Sequence, residues 1–224
     1  MPLHDMSTTI EAVGIVVPAR DEAAGIARCL RAVRIAVAEA GLPAAVCVVA
    51  DRCRDETAEI AAGYADVVVN ERPLTMGELR NTGVAALRGL PAGAWLLSTD
   101  ADTVVPRTWV LDHLRYAHAG ADVVAGMADL DDPTSLTPEV LGRYTRLLAV
   151  GGHAYAANLG VRAALFERIG GFPAVAVGEE HALLARARTA GGRVVHAADV
   201  RVRTSARTRG RAEGGLADLL RGLA

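Results

Sequence analysis

The segment Trp95-Leu96-Leu97-Ser98-Thr99-Asp100-Ala101-Asp102 ends an apolar run on two carboxylates at positions i and i+2. Extended backbone points alternate side chains the same way, so both acids face one side. Such a pair suits a hard divalent cation, Mg2+ or Mn2+, whose remaining shell is filled by phosphate oxygens and water. The chemistry indicated is neutralisation of charge on a departing nucleotide. Two more acidic turns follow apolar runs: Pro18-Ala19-Arg20-Asp21-Glu22 and Asp51-Arg52-Cys53-Arg54-Asp55. Asp55 also suits the cap of a following helix.

These turns need a scaffold that brings them to one edge. The first half alternates short β-branched runs with helix-like stretches, the pattern of a layered α/β fold with a mostly parallel, Rossmann-like sheet flanked by helices. Strands are expected at Ala12 to Val17, Ala45 to Ala50, Val67 to Asn70 and Ala94 to Ser98. All are apolar throughout, as strands covered on both faces should be. Helices are expected at about Ala24 to Ala40, from Asp55 through Ala62, at Gly77 to Leu90, and from about Pro106 to His118. Ligands of open α/β sheets bind outside the carboxyl ends of the strands, where the three acidic turns fall. The second half is less regular: Asp129 to Pro138 reads as a loop, Asn158 to Arg162 as a strand, Glu179 to Ala190 as a helix, and Arg193 to Arg203 as one strand or two.

Length and composition narrow the function classes. The 224 residues suit one domain, and 4% aromatic content argues against stacking platforms for single-stranded nucleic acid. A formal net charge of -2 gives no overall footprint for DNA or RNA, so no nucleic-acid partner is expected. All 24 basic residues are arginine, which excludes a P-loop lysine and a Schiff base. Cys29, Cys47 and Cys53 show no metal-ligand pairing and favour reduced thiols in a cytoplasmic setting. No apolar run reaches bilayer length, so no integral membrane segment is expected, and no secretory signal pattern opens the chain. The oligomeric state is left open, a homo-oligomer included.

Taken together, Val16-Val17-Pro18-Ala19-Arg20-Asp21-Glu22, Val48 to Asp55, Arg80-Asn81-Thr82-Gly83 and Ser98 to Asp102 resemble the family 2 glycosyltransferases. The resemblance implies a GT-A nucleotide-diphospho-sugar transferase fold and a nucleotide-diphosphate sugar donor, with the acceptor unidentified. It implies one catalytic domain over 1–224, with a nucleotide-binding half at about 10–105, an acceptor-side half at about 106–211 and a short helix at about 215–223. By the same resemblance Pro18, Ala19, Arg20 and Glu22 border the nucleoside, Asp51 accepts from the base, and Arg80 faces the phosphates or base. Asp100 approaches ribose and metal, and Asp102 is the principal metal ligand.

Downstream, Ala157 to Arg162 followed by Phe166-Glu167-Arg168-Ile169-Gly170-Gly171-Phe172 resembles the family's acceptor-side segment. Gly178-Glu179-Glu180-His181 falls where the family carries its acidic pair, making Glu180 the candidate base and Glu179 its neighbour. The family's usual residue at the second place is Asp, so Glu is a departure that leaves inverting and retaining chemistry both open. Arg201 to Arg211 contains arginines able to fork onto a diphosphate, Arg207 among them, from a loop that closes over the donor. His196 is a conceivable third metal ligand, although a buried strand histidine is the favoured reading. One rival comes from another enzyme class: Leu96 to Val104 fits the nucleophile motif of haloacid-dehalogenase phosphatases, with Asp100 attacking phosphorus. That motif ordinarily closes the first strand and is served by a lysine.

Overall fold

A computed structural model describes residues 9–87, 89–149, 154–210 and 214–224. The chain opens with β1 (Val13–Ala19), every residue of which is buried. A strand so apolar can satisfy its backbone only between two others. It pairs in parallel with β2 (Ala44–Asp51) and with β4 (Trp95–Ser98). Between these strands run α1 (Ile26–Ala40), α2 (Thr57–Ala62), β3 (Asp66–Asn70) and α3 (Met76–Ala86). Ile26, Cys29, Leu30, Val33 and Ala36 form the buried stripe of α1, which stops where Gly41 takes the left-handed backbone with φ of 67°. A capping box starts α3: Thr75 Oγ accepts from the Glu78 N–H, and Glu78 accepts from the Thr75 N–H.

The second half supplies β5 (Thr103–Val104), α4 (Trp109–His118), β6 (Val123–Asp131), α5 (Pro138–Ala149), β7 (Leu159–Arg162), α6 (Ala163–Arg168), α7 (Glu179–Thr189), β8 (Val194–Ser205) and α8 (Leu216–Gly222). The eight strands make one sheet in the order β3-β2-β1-β4-β7-β6-β8-β5. Parallel pairing dominates the first half, whereas β7 runs antiparallel to both β4 and β6. Two apolar clusters pad the two faces, one built around α1 and α4, the other around α3, α6 and α7.

The strand order forces the sheet to curl. Strands β4 and β5 are consecutive in the chain yet sit four inter-strand spacings apart, about 19 Å if the sheet were flat. The link from Ser98 to Thr103 spans at most about 18 Å fully extended. It is turned instead, the Thr103 N–H donating to the Asp100 carbonyl at 3.0 Å. The sheet therefore bends back and sets β5 against the end of β8, Thr103 opposite Thr204. Asp100, Ala101 and Asp102 lie in the mouth of that bend.

The main strands and helices of the first half fall within a few residues of their expected places. Four elements were not anticipated: β5, β6, α5 and α6. The expected loop from Asp129 begins as the last residues of β6, and α5 starts at its far end, Pro138. Strand β3 is an edge with Val69 61% exposed, so its apolar run does not mean cover on both faces. The stretch from Arg193 resolves to the single strand β8, irregular opposite Gly126 and Met127. All three cysteines are free, Cys29 and Cys47 being buried. Among the described residues no helix is long and apolar enough to cross a membrane.

Candidate active site

The carboxyl ends of β1, β2 and β4 open into a cleft of about 490 Å³. Pro18, Ala19, Arg20, Glu22, Asp51, Asp100, Asp102 and Arg207 all line it, joined by Arg52, Thr75, Met76, Thr204 and Leu216. Polar contacts between the first two turns hold its rim. Asp21 accepts from the Arg54 N–H at 2.7 Å, Asp55 from the Ala23 N–H at 3.0 Å, and Thr57 Oγ from the Glu22 N–H at 2.7 Å. Asp55 also accepts from the Thr57 N–H at 3.1 Å, but the residue at the cap of α2 is Glu56, so Asp55 ties the turns together from one position earlier than expected. Asp21, Cys53 and Asp55 gather within 4.8 Å of one another, and these backbone donors already engage both carboxylates.

Asp51 is 3% exposed and closely held. Its Oδ1 accepts from Asn70 Nδ2 at 2.7 Å and Arg52 Nε at 3.0 Å, its Oδ2 from Arg52 Nη2 at 2.9 Å. Arg52 reaches back because its backbone is left-handed, with φ of 47°. Such a conformation in a non-glycine residue is strained and must be held by its contacts.

Asp102 and Glu22 share one arginine. Arg207 forks onto Glu22, Nη1 to Oε2 at 3.0 Å and Nη2 to Oε1 at 2.6 Å, while the same Nη2 lies 2.9 Å from Asp102 Oδ2. Thr204 Oγ donates to Asp102 Oδ1 at 3.4 Å, and the Ser205 N–H donates to the Asp102 carbonyl at 3.2 Å. Burial, then repulsion from Asp100 and Glu22, pushes the Asp102 carboxyl up to about 6 against the pull of Arg207. The donor set is oxygen only, and a cationic nitrogen already rests between two of its carboxylates.

Arg80 lies elsewhere than the sequence suggested. It does not face the cleft: it is 2% exposed beneath Asp100, with Nε donating to Ser98 Oγ at 2.9 Å and Nη2 to Asp100 Oδ1 at 2.6 Å. Its third nitrogen, Nη1, makes no hydrogen bond but lies 3.7 Å from Glu179 Oε1. The helix can sit this low because Gly83 faces the sheet, where a Cβ would meet Val16 and Val49 at 3.1 Å. Asn81 fixes the neighbouring segment, exchanging hydrogen bonds with the Phe172 backbone at 2.8 and 2.9 Å. Arg80 thus joins the Asp100 turn to the start of α7.

Glu179 and Glu180 form the first turn of α7, after Gly178 with φ of 80°. Glu179 is buried, and Glu180 keeps 17% of its side chain exposed. Burial, then Glu179 and Asp100, raises the Glu180 carboxyl to about 7, with Arg80 opposing. A carboxylate so tuned is suited to accept a proton near neutrality. Neither residue lines the main cleft.

Other expectations change. His196 is exposed on β8 and takes a hydrogen-bond contact from Arg188 at 2.9 Å, far from Asp102 along the strand. It is neither buried nor part of the cluster. Asn158 is a buried hub rather than a surface for an acceptor: Trp109 Nε1 and His113 Nε2 meet its Oδ1 at 2.9 Å, and its Nδ2 donates to the Met127 and Val200 carbonyls. Arg201 and Arg203 pair with Asp129 and Asp131 along the sheet, leaving Arg207 as the one arginine of that tail, among the described residues, that lines the cleft. Arg211 lies outside the described residues. Sequence reasoning missed Arg52, Asn70, Ser98 and Thr204. Only Arg52 had a local signal, its place beside Asp51.

The model of glycosyl transferase family 2 matches residues 14–152. S. aureus TarS 1–349 in complex with UDP-GlcNAc superposes with a TM-score of 0.66 at 16% identity, covering 91% of this chain and 61% of that one. The mannosyltransferase PcManGT from Pyrobaculum calidifontis, in complex with GDP-Man and Mn2+, gives 0.66 at 20% identity over 88% and 58%. At these identities the likeness is one of fold, and the chain spans about six tenths of the length of those structures. No curated protein sequence matches. The GT-A architecture lends no support to the phosphatase alternative, and Asp100 follows β4 rather than the first strand. With the family model covering β1 through α5 and the same architecture in the solved structures, this chain belongs to glycosyl transferase family 2.

Proposed function

We propose that the chain takes a sugar from a nucleotide-diphosphate sugar and transfers it to an acceptor hydroxyl, assisted by Mg2+ or Mn2+. The observation that carries this reading is the convergence of Glu22, Asp51, Asp100, Asp102 and Arg207 in one cleft at the carboxyl ends of parallel strands. The fold neighbours bound to UDP-GlcNAc and to GDP-Man with Mn2+ support it by analogy. The nucleotide-binding half is taken as about 10–105 and the acceptor-side half as about 106–211, followed by α8. Three free thiols suit a reducing cytoplasm.

An oxygen-only donor set with surplus negative charge fits a hard divalent cation. Asp102 and Asp100 would hold it, and it would stabilise charge on the leaving diphosphate. Arg80 fixes the Asp100 carboxylate from below. Asp51, steadied by Asn70 and Arg52, offers its edge to the nucleobase beside Pro18 and Ala19. Glu180 accepts the proton of the acceptor hydroxyl, the role its raised carboxyl suits.

A thermal-shift panel of UDP-, GDP-, ADP- and dTDP-sugars with Mn2+ or Mg2+ tests donor binding directly, because a native-state ligand raises stability. The expected result is selective, metal-dependent stabilisation. Asp102→Asn should then lower donor turnover by about a hundredfold to a thousandfold. Parental turnover in that variant, or full activity in excess chelator, removes the metal from the reading.

A further inference from the structure

Arg207 occupies an unusual position for an arginine expected to bind a diphosphate. Its guanidinium faces carboxylates: Nη2 lies 2.6 Å from Glu22 Oε1 and 2.9 Å from Asp102 Oδ2, the place of a bridging cation. The backbone reinforces this arrangement, since the Arg207 N–H donates to Ser205 Oγ at 3.3 Å while the Ser205 N–H holds the Asp102 carbonyl. The side chain nevertheless retains 30% exposure, against 9% for Glu22, so it has an exit that the acid does not.

We propose that Arg207 is a built-in counter-ion that holds the divalent cation's place between Glu22 and Asp102, and that it exchanges onto the donor diphosphate when metal and nucleotide arrive together. This rests on the donor reading above and adds Glu22 to the acidic groups that face the cation.

Charge balance carries the argument. Without ligands, one guanidinium bridges two carboxylates that are largely shielded from water and offsets part of their charge. A metal ion entering alone must displace Arg207, which then has no anion to meet. A diphosphate entering alone can attract Arg207 only by drawing it away from Glu22 and Asp102, and parting a largely sheltered ion pair is unfavourable. Entering together, the two ligands relieve both problems, because the cation takes the carboxylates and the freed guanidinium forks onto the phosphates. Each ligand therefore raises the affinity of the other by the same factor.

The experiment is isothermal titration of the full chain with Mn2+ alone, comparing parent, Arg207→Gln and Arg207→Lys. Circular dichroism and thermal melting check each fold. Removal of the resident cation should tighten binding of Mn2+ alone by about tenfold, a common size for coupling between sites. Arg207→Lys keeps a point charge without the fork and should fall between the two. Adding Asp102→Asn to Arg207→Gln should abolish the gain, which assigns it to this site rather than to Asp21 and Asp55. Equal or weaker Mn2+ binding in Arg207→Gln overturns the exchange, while the donor reading stands if sugar nucleotides still stabilise the parent with metal. Absence of Mn2+ binding in every form, even with UDP, GDP, ADP or dTDP present, overturns both.

Discussion

The acids of the donor cleft and the acid at the start of α7 are treated in opposite ways. Glu22, Asp51, Asp100 and Asp102 each have an arginine within 3.0 Å. Among the described residues Glu180 has none so placed, and the His181 ring lies 3.7 Å from it. An arginine against a carboxylate fixes its direction, which suits holding a cation or a base edge. A largely buried carboxylate with no arginine hydrogen-bonded to it and a titration raised to about 7 can change its protonation state near neutrality, which suits proton transfer. The lesson is that acids within one family of motifs divide by their partners rather than by their residue type.

The largest expected effect removes the acid at the start of α7. Glu180→Gln should lower sugar transfer by about a hundredfold to ten-thousandfold while donor binding stays near parental. Parental transfer rates in this variant would falsify the base role and turn attention to Glu179. In the parent the rate should climb with pH through a midpoint near 7 and level off above it, because the carboxylate is the working form. The same raised value has a stability consequence of definite sign. The ionised carboxyl opposes folding, a penalty absent below the usual carboxylate range and growing as pH rises towards 7. Glu180→Gln should therefore melt higher than the parent at pH 8 and about equally at pH 4.

Arg80 is the test of whether the two groups of acids communicate. Arg80→Met strips the partner from Asp100 and withdraws positive charge from Glu179. Breaking a buried pair costs about 3–5 kcal/mol, and the low end applies here because Asp100 is 34% exposed. Denaturant unfolding measures that loss. A residue that only supports the fold would leave the titration of Glu180 alone. Arg80 opposes the rise of that carboxyl, so its removal should move the midpoint of the pH profile above 7. An unmoved midpoint would leave Arg80 with a purely structural part.

The smallest effect concerns Asp51. Asp51→Ala should weaken the free nucleotide and the sugar nucleotide alike by about tenfold, the size of one lost charged hydrogen bond. If the affinities hold and only the melting temperature falls, Asp51 serves to anchor Arg52 and Asn70.

What could be read in the chain beforehand follows the same division. Strands β1, β2 and β4 are visible because central strands carry near-continuous apolar runs. Strand β6 escapes because its outer half, Met127 to Asp131, is only partly buried in places and carries two aspartates that pair with Arg201 and Arg203 across the sheet. Asp100 and Asp102 announce themselves by spacing within one strand exit. The partners that decide their behaviour, Arg80 and Arg207, lie 20 and 105 positions away, and periodicity carries no information at that range. Burial of Arg80 could not be inferred from Arg80-Asn81-Thr82-Gly83, since only Gly83 hints at how low the helix rides.

The contact between Glu22 and Arg207 joins positions 185 apart. Contacts of such separation form late, because the intervening chain must be organised before closing so long a loop becomes favourable. On the ribosome the acidic turns after β1 and β4 emerge well before Arg207, and domains acquire structure from the N-terminal side first. The cleft therefore passes through a stage in which its carboxylates are gathered but lack that guanidinium. Pairing of Glu22 and Asp102 with Arg207 marks the completion of β8, so the same ion pair that occupies the cleft also reports that the last strand has docked.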